Sequence, residues 1–260
     1  MCKINDFLSK LESVAPLSLS QKMIEMGDYD NSGLLVKASE VAKNILFSLD
    51  LSNKAVEKAV ELGCDTIVTH HPAIYTPIKS LEFDGQNKSV LLAIKNNINV
   101  ISMHLNLDVA SLGIDHFLSI GLGGKNQRVL TKIEGENGYG RTANVSEQTL
   151  CQFVSKIKEN FGTDKVIYYG QNSVKNIASF CGSGASQAIK IMAELDGVDT
   201  IITSDISHHQ ITEIIEGGFN LVIIPHYVSE QFGFKKFFEL VLGKLQEDQK
   251  AFYFIDNRFM

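Results

Sequence analysis

The chain states one motif twice. Residues 63–71 read GCDTIVTHH and residues 197–205 read GVDTIITSD. Each copy is followed by a second strand-like run that delivers a histidine with an acid four residues on. The run NVISMHLNLD gives His104 and Asp108, and NLVIIPHYVSE gives His226 and Glu230. A repeat of about 130 residues is a duplicated domain, since solenoid units recur every ~20–50 residues. Duplication therefore predicts two similar halves, each delivering metal-type ligands from the same place to one composite site.

The pattern between these landmarks predicts α/β units. Apolar spacing gives a helix over 4–13 closed by Pro16, and strands over 33–36 and 44–49. Ser52 is placed to cap a helix over 53–62 that Gly63 ends. Strand 65–69 runs straight into His70-His71-Pro72, and a helix over 87–97 and a strand over 98–103 follow. The second half reads helix 147–160, strands 165–169 and 176–181, helix 186–196, strand 199–203, helix 207–216 and strand 219–224. The halves are expected at 1–125 and 126–260, joined through the glycine-rich stretch 121–145, with no inserted domain. In such folds ligands gather beyond the carboxyl ends of the strands. Every candidate ligand here sits at that end of an apolar run.

Composition narrows the function classes. An apolar fraction of 44% with 21% charged residues is ordinary for a globular protein. No apolar run approaches the ~20 residues of a membrane span, and MCKINDFLSK lacks the apolar segment of a signal peptide. A cytoplasmic protein is expected. Its scattered cysteines, Cys2, Cys64, Cys151 and Cys181, are then reduced packing residues. The net charge of −6 and the lack of a dense Lys/Arg stripe argue against nucleic acid as a partner.

The chemistry lies in the histidines and acids. His70 and His71 are adjacent at a strand end, where side chains diverge, so each suits one of two neighbouring metals. Pro72 stiffens the turn that aims them. His226 and Glu230 are spaced to share one face of a helix, as are His104 and Asp108. Any one of these pairs alone is most often plain surface. Their recurrence after equivalent buried strands points to a shared role. Such a set fits two divalent cations roughly 3.5–4 Å apart. Nitrogen and oxygen donors suit Zn, Mn, Fe, Co or Ni, and cysteine-poor ligation argues against a closed structural zinc site. The direct ligands expected are His70, His71, Asp108, His226 and Glu230. His104 is read as orienting Asp108 or contacting substrate, and Glu230 and His104 as the catalytic pair. Asp205, His208 and His209 are candidate substrate contacts, whereas His116 reads as structural. The turn Gly182-Ser183-Gly184 could cradle an anion at a helix start, though no Lys-Ser/Thr follows as a P-loop requires.

These residues resemble the GTP cyclohydrolase 1 type 2 homolog family, the Ngg-interacting-factor-three-like proteins. The markers span nearly the whole chain: Asp30-Asn31 with Gly33, VTHHP at 68–72, His104 with Asp108, GYGR at 138–141, CGSG at 181–184, TSDISHH at 203–209 and PHYVSE at 225–230. The resemblance implies two similar α/β halves around a dinuclear metal centre, with Glu230 as bridging ligand, and a toroidal homohexamer. It also implies a hydrolase that opens the ring of GTP with release of formate through a metal-activated water. The alternative is a ring-shaped metal-binding or partner-binding module without turnover. Two positions depart from the family pattern: Ser204 stands where a glycine is usual, and Pro225 precedes His226 where the family has GHY.

Overall fold

The computed structural model describes residues 2–82, 85, 87–171 and 173–260. In chain order the elements are α1 (Ile4–Glu12), α2 (Leu17–Glu25), β1 (Gly33–Val36), β2 (Asn44–Ser48), α3 (Asn53–Glu61), β3 (Thr66–Thr69), α4 (Lys88–Lys95), β4 (Asn99–Ser102), α5 (Leu105–Val109) and α6 (Ile114–Gly121). There follow β5 (Lys125–Glu134), β6 (Asn137–Thr149), α7 (Leu150–Phe161), β7 (Ile167–Tyr169), β8 (Ser173–Ser179), α8 (Ala185–Lys190), β9 (Thr200–Thr203), α9 (His208–Glu216), β10 (Asn220–Ile223), α10 (His226–Leu242) and β11 (Lys250–Phe254). The described residues form two compact units, one of residues 1–107 with 234–258 and one of 108–233 with 259–260. Among them no helix is long and apolar enough to cross a membrane.

The first unit carries a five-stranded sheet in the order β1-β4-β3-β2-β11. Four strands run parallel, and β1 is an antiparallel edge. Both faces are covered, which is why these strands read as continuous apolar runs. Leu46, Ile67 and Val100 point to one face, where they pack with Val56 and Ala59 of α3 and Val90 and Ala93 of α4. Phe47 points to the other and meets the rings of Phe234, Phe237 and Phe238 at 5.2–6.1 Å. Ser52 caps α3 through a bond from the Ala55 N–H, as its position in the sequence predicts. The apolar run at 252–255 belongs to this sheet: β11 lies beside β2 in parallel register, and Tyr253 packs on Phe238.

The second unit carries a six-stranded sheet in the order β5-β6-β8-β9-β10-β7. Strands β8, β9 and β10 are parallel. The stretch 121–145, expected as a junction, is largely the β5–β6 hairpin. Its glycines mark close strand approach: a Cβ on Gly138 would lie 2.3 Å from the Thr131 carbonyl oxygen. The helix expected over 147–160 starts at Leu150, because β6 extends to Thr149, which caps it with Gln152. The helix expected over 186–196 stops at Lys190 and gives way to a 3₁₀ turn, Met192–Glu194.

The repeated GxDT phrase builds the same lock in each unit. Asp65 accepts backbone N–H bonds from Lys43 and Asn44 at 3.0–3.1 Å, and Asp199 accepts them from Lys175 and Asn176 at 2.8–2.9 Å. Thr66 and Thr200 donate to these same aspartates. Asn44 donates to the Gly63 carbonyl and Asn176 to that of Gly197. Asn99 and Asn220 close the set by donating to Thr66 and Thr200. These bonds register three parallel strands at their amino ends. The carboxyl ends are left to carry other chemistry.

Candidate functional site

In the first unit β3 hands the chain to His70 and His71. The turn is set by hydrogen bonds: both histidine N–H groups donate to the Leu49 carbonyl at 3.0 Å. Thr69 Oγ1 lies 2.7 Å from Ser102 Oγ and donates to the His71 carbonyl. The Ala73 N–H in turn donates to Ser102 Oγ. β4 delivers His104 beside the pair. The His70 ring lies 4.9 Å from that of His71 and 5.2 Å from that of His104, centroid to centroid.

Each ring is held through Nδ1. His70 Nδ1 lies 2.8 Å from the Met103 carbonyl oxygen, His71 Nδ1 2.7 Å from Asp50 Oδ1, and His104 Nδ1 2.7 Å from Asp30 Oδ1. A carbonyl oxygen can only accept, so His70 donates from Nδ1, and in the neutral ring Nε2 carries the lone pair. This hold on the remote nitrogen is what fixes ring and tautomer in metal-binding histidines. Asp30 is buried, which by itself would raise its pKa. Hydrogen bonds from His104, Ser20 and Ser32 outweigh burial and bring the carboxyl down to about 2.

In the second unit α10 opens at His226 and carries Glu230 one turn on, buried at 2% exposure. His226 Nδ1 lies 2.7 Å from Asp205 Oδ2, and its Nε2 lies 2.9 Å from Glu230 Oε1. The same Nδ1 hold thus appears on a fourth histidine. Ser204, where the family pattern has glycine, bonds Ser229 of α10 at 2.9 Å. Gly182 has φ +57°, and a Cβ there would stand 2.7 Å from Glu230 Oε1 and 3.4 Å from His226 Nε2. The glycine is required by both backbone and space.

Asp108, Cys181 and Glu230 form a buried group in this unit, with donor atoms within 4.8 Å of one another. The Cys181 thiol donates to Asp108 Oδ1 at 3.4 Å. Burial, with Asp108, Asp115 and Glu230 nearby, pushes its pKa well above the ordinary thiol value. Beneath this turn the Cys181 N–H donates to Asp115. Burial raises the Asp115 carboxyl to about 6, against the pull of Arg141, whose guanidinium lies 3.8 Å away.

The remaining candidates lie apart from these contacts. His208 and His209 are exposed at the start of α9, where His209 bonds Ser207 at 3.3 Å. The α9 start is capped by Ser207 and Gln210. His116 is half-buried, and burial lowers its pKa. Sequence reasoning missed Asp30 and Asp50 as histidine partners, Cys181 as a partner of Asp108, and Asp115 as an acceptor of the Cys181 N–H. Asp30 had one signal, its place in the Asp30-Asn31 marker. Cys181 stood in the CGSG marker without its partners being legible, and Asp50 and Asp115 had no signal, because the partners lie 21 to 73 residues away.

Comparison with known proteins gives a consistent picture. The sequence model of the family described as Duf34/NIF3 (NGG1p interacting factor 3) matches residues 2–258. A Clostridium perfringens protein named GTP cyclohydrolase 1 type 2 homolog is 31% identical over 255 residues, covering 95% of this chain and 94% of that one. A protein of the same name from Clostridium acetobutylicum is 32% identical over 235 residues, covering 88% and 85%. The crystal structure of a Staphylococcus aureus protein has a TM-score of 0.87 at 26% identity, covering 98% of this chain and 97% of that chain.

Proposed function

The chain belongs to the Duf34/NIF3 family, and from that premise we propose that it is a dinuclear metal-dependent hydrolase acting on a nucleotide. The name carried by its relatives points to GTP. The proposed reaction opens the purine ring by hydrolysis and releases formate.

The observation that carries this reading is the common hold on four histidines. Each has an oxygen acceptor 2.7–2.8 Å from Nδ1, which fixes the ring and the direction of its Nε2. Glu230 and Asp108 add buried carboxylates. Nitrogen and oxygen donors of this kind fit Zn, Mn, Fe, Co or Ni. Two such cations would supply Lewis acidity and lower the pKa of water.

The chain's own residues then divide the work. His70, His71, Asp108, His226 and Glu230 would hold the cations, with Glu230 as the shared acid. His104 moves a proton at Nε2 while the ionised Asp30 steadies its Nδ1–H. Asp205 orients His226. His208 and His209 are exposed to meet the nucleotide.

The same premise carries a toroidal homohexamer, which light scattering would read as six times the 28.7 kDa chain. The test of activity uses metal-loaded protein and GTP. Formate and a ring-opened product should appear, and Glu230→Ala should abolish them. A wild-type rate equal to that of the variant ends the hydrolase reading. Metal binding without turnover of any nucleotide would favour the binding-module alternative.

A further inference from the structure

The cysteines of the chain stand in different surroundings. Cys64 packs in the apolar cluster of the first unit, and Cys151 is exposed. Cys181 is buried, and its closest polar side-chain partner is a carboxylate. With Asp108 and Glu230 it brings one sulfur and two carboxylates within 4.8 Å of one another. Arg141 lies 3.8 Å from Asp115, and His226 Nε2 lies 2.9 Å from Glu230 Oε1. A buried group of this charge is suited to a dication.

The spacing is that of donors on a shared ion. A sulfur at ~2.3 Å and a carboxylate oxygen at ~2.0–2.2 Å from one cation lie roughly 3.1–3.7 Å apart for angles between octahedral and tetrahedral. Cys181 Sγ and Asp108 Oδ1 lie 3.4 Å apart. Two nitrogen or oxygen donors at ~2.05 Å and a right angle lie roughly 2.9 Å apart, and His226 Nε2 and Glu230 Oε1 are separated by 2.9 Å. The backbone fixes the sulfur as firmly as the acids. Cys181 N–H bonds Asp115, and the Cys181 carbonyl accepts from the Tyr139 hydroxyl.

We propose that the Cys181 thiolate is a direct ligand of one cation, completing with Asp108 and Glu230 a mixed sulfur and carboxylate set. This rests on the metal reading above. The thiol proton leaves to solvent as the cation takes its place beside the sulfur. A sulfur donor shifts preference toward Zn, Co or Fe and away from Mg and Mn, which favour all-oxygen surroundings.

Cobalt is the probe. The full-length protein, stripped with a chelator and kept reduced, is titrated with Co²⁺ while absorbance and bound cobalt are measured. A thiolate ligand gives a sulfur-to-cobalt charge-transfer band in the near ultraviolet. Wild type and Cys151→Ser should show it. Cys181→Ser should bind cobalt without it, at an affinity lower by at least the ~10-fold that outer partners of a metal site cost. Cobalt bound by wild type with no such band, or a band that survives Cys181→Ser, overturns the assignment while leaving the metal reading intact. No cobalt bound at all overturns both. The wild-type spectrum decides even if the variant fails to fold.

Discussion

Asp30 Oδ1 lies 2.7 Å from His104 Nδ1, although 74 residues separate the two in sequence. Ser32 ties the pair together: its hydroxyl donates to Asp30 Oδ2 at 2.7 Å and accepts the His104 N–H at 3.0 Å. If His104 moves a proton, Asp30→Asn should lower kcat for GTP by roughly 10²-fold or more, within the usual range for a positioned acid or base. The KM should stay near the wild-type value. Steady-state kinetics check this, and unchanged kcat would remove His104 from the proton path.

Asp30 also links stability to acid. Its folded pKa of about 2 lies below the 3.8 of an ordinary aspartate. The carboxylate therefore contributes stability that is fully present above about pH 4 and lost as the pH falls toward 2. After allowance for screening the contribution is roughly 1–2 kcal/mol. Urea unfolding should show Asp30→Asn less stable than wild type at pH 6, with the gap closing below about pH 2.5.

Gly182→Ala should damage the second unit twice. The backbone holds φ +57°, and the new methyl would stand 2.7 Å from Glu230 Oε1. A cost of about 1–3 kcal/mol is expected from the strained conformation. Displacement of Glu230 should weaken metal binding as well. Denaturant unfolding reads the first effect and metal titration the second.

Arg141→Met tests the buried pair with Asp115. A carboxyl raised to about 6 in the fold is protonated at pH 5 and ionised at pH 8. Its ionisation costs stability as the pH rises through that range, and Arg141 limits the cost. Loss of the guanidinium should therefore hurt more at pH 8 than at pH 5. About 3–5 kcal/mol is the expected scale for breaking a buried pair. Equal losses at both pH values would mean that Arg141 acts through its bonds to the Gly138 and Gly140 carbonyls alone.

The repeated locks predict matched losses. Asp65 and Asp199 each accept two backbone N–H bonds and one threonine hydroxyl. Asp65→Ala and Asp199→Ala should each cost about 2–3 kcal/mol, as charged hydrogen-bond acceptors do. Thermal unfolding of the two variants compares them. A large loss in one and none in the other would show that the copies no longer bear equal load.

What the sequence disclosed follows from distance along the chain. Strands β3 and β9 were legible because four buried residues in a row leave a plain apolar signature. The histidines were legible because they follow those strands directly. The helical spacing of His226 and Glu230 was legible for the same local reason. The partners of the rings were not: Asp50 reaches His71 across 21 residues and Asp30 reaches His104 across 74. The β5–β6 hairpin was hidden by its polar, largely exposed β5 strand and by glycines that serve close packing. Cys181 looked like filler because nothing near it in sequence declares the acids it meets in space.

The matched Asp–Asn–Thr locks also bear on how such a chain can change. They stand at the amino ends of the strands, whereas His70-His71 and Ser204-Asp205 occupy the opposite tips. Foundation and workbench are thus separate parts of each strand. Mutations at a tip leave the foundation standing, so one copy could keep a histidine pair while the other replaced it, with neither forced to rebuild its sheet.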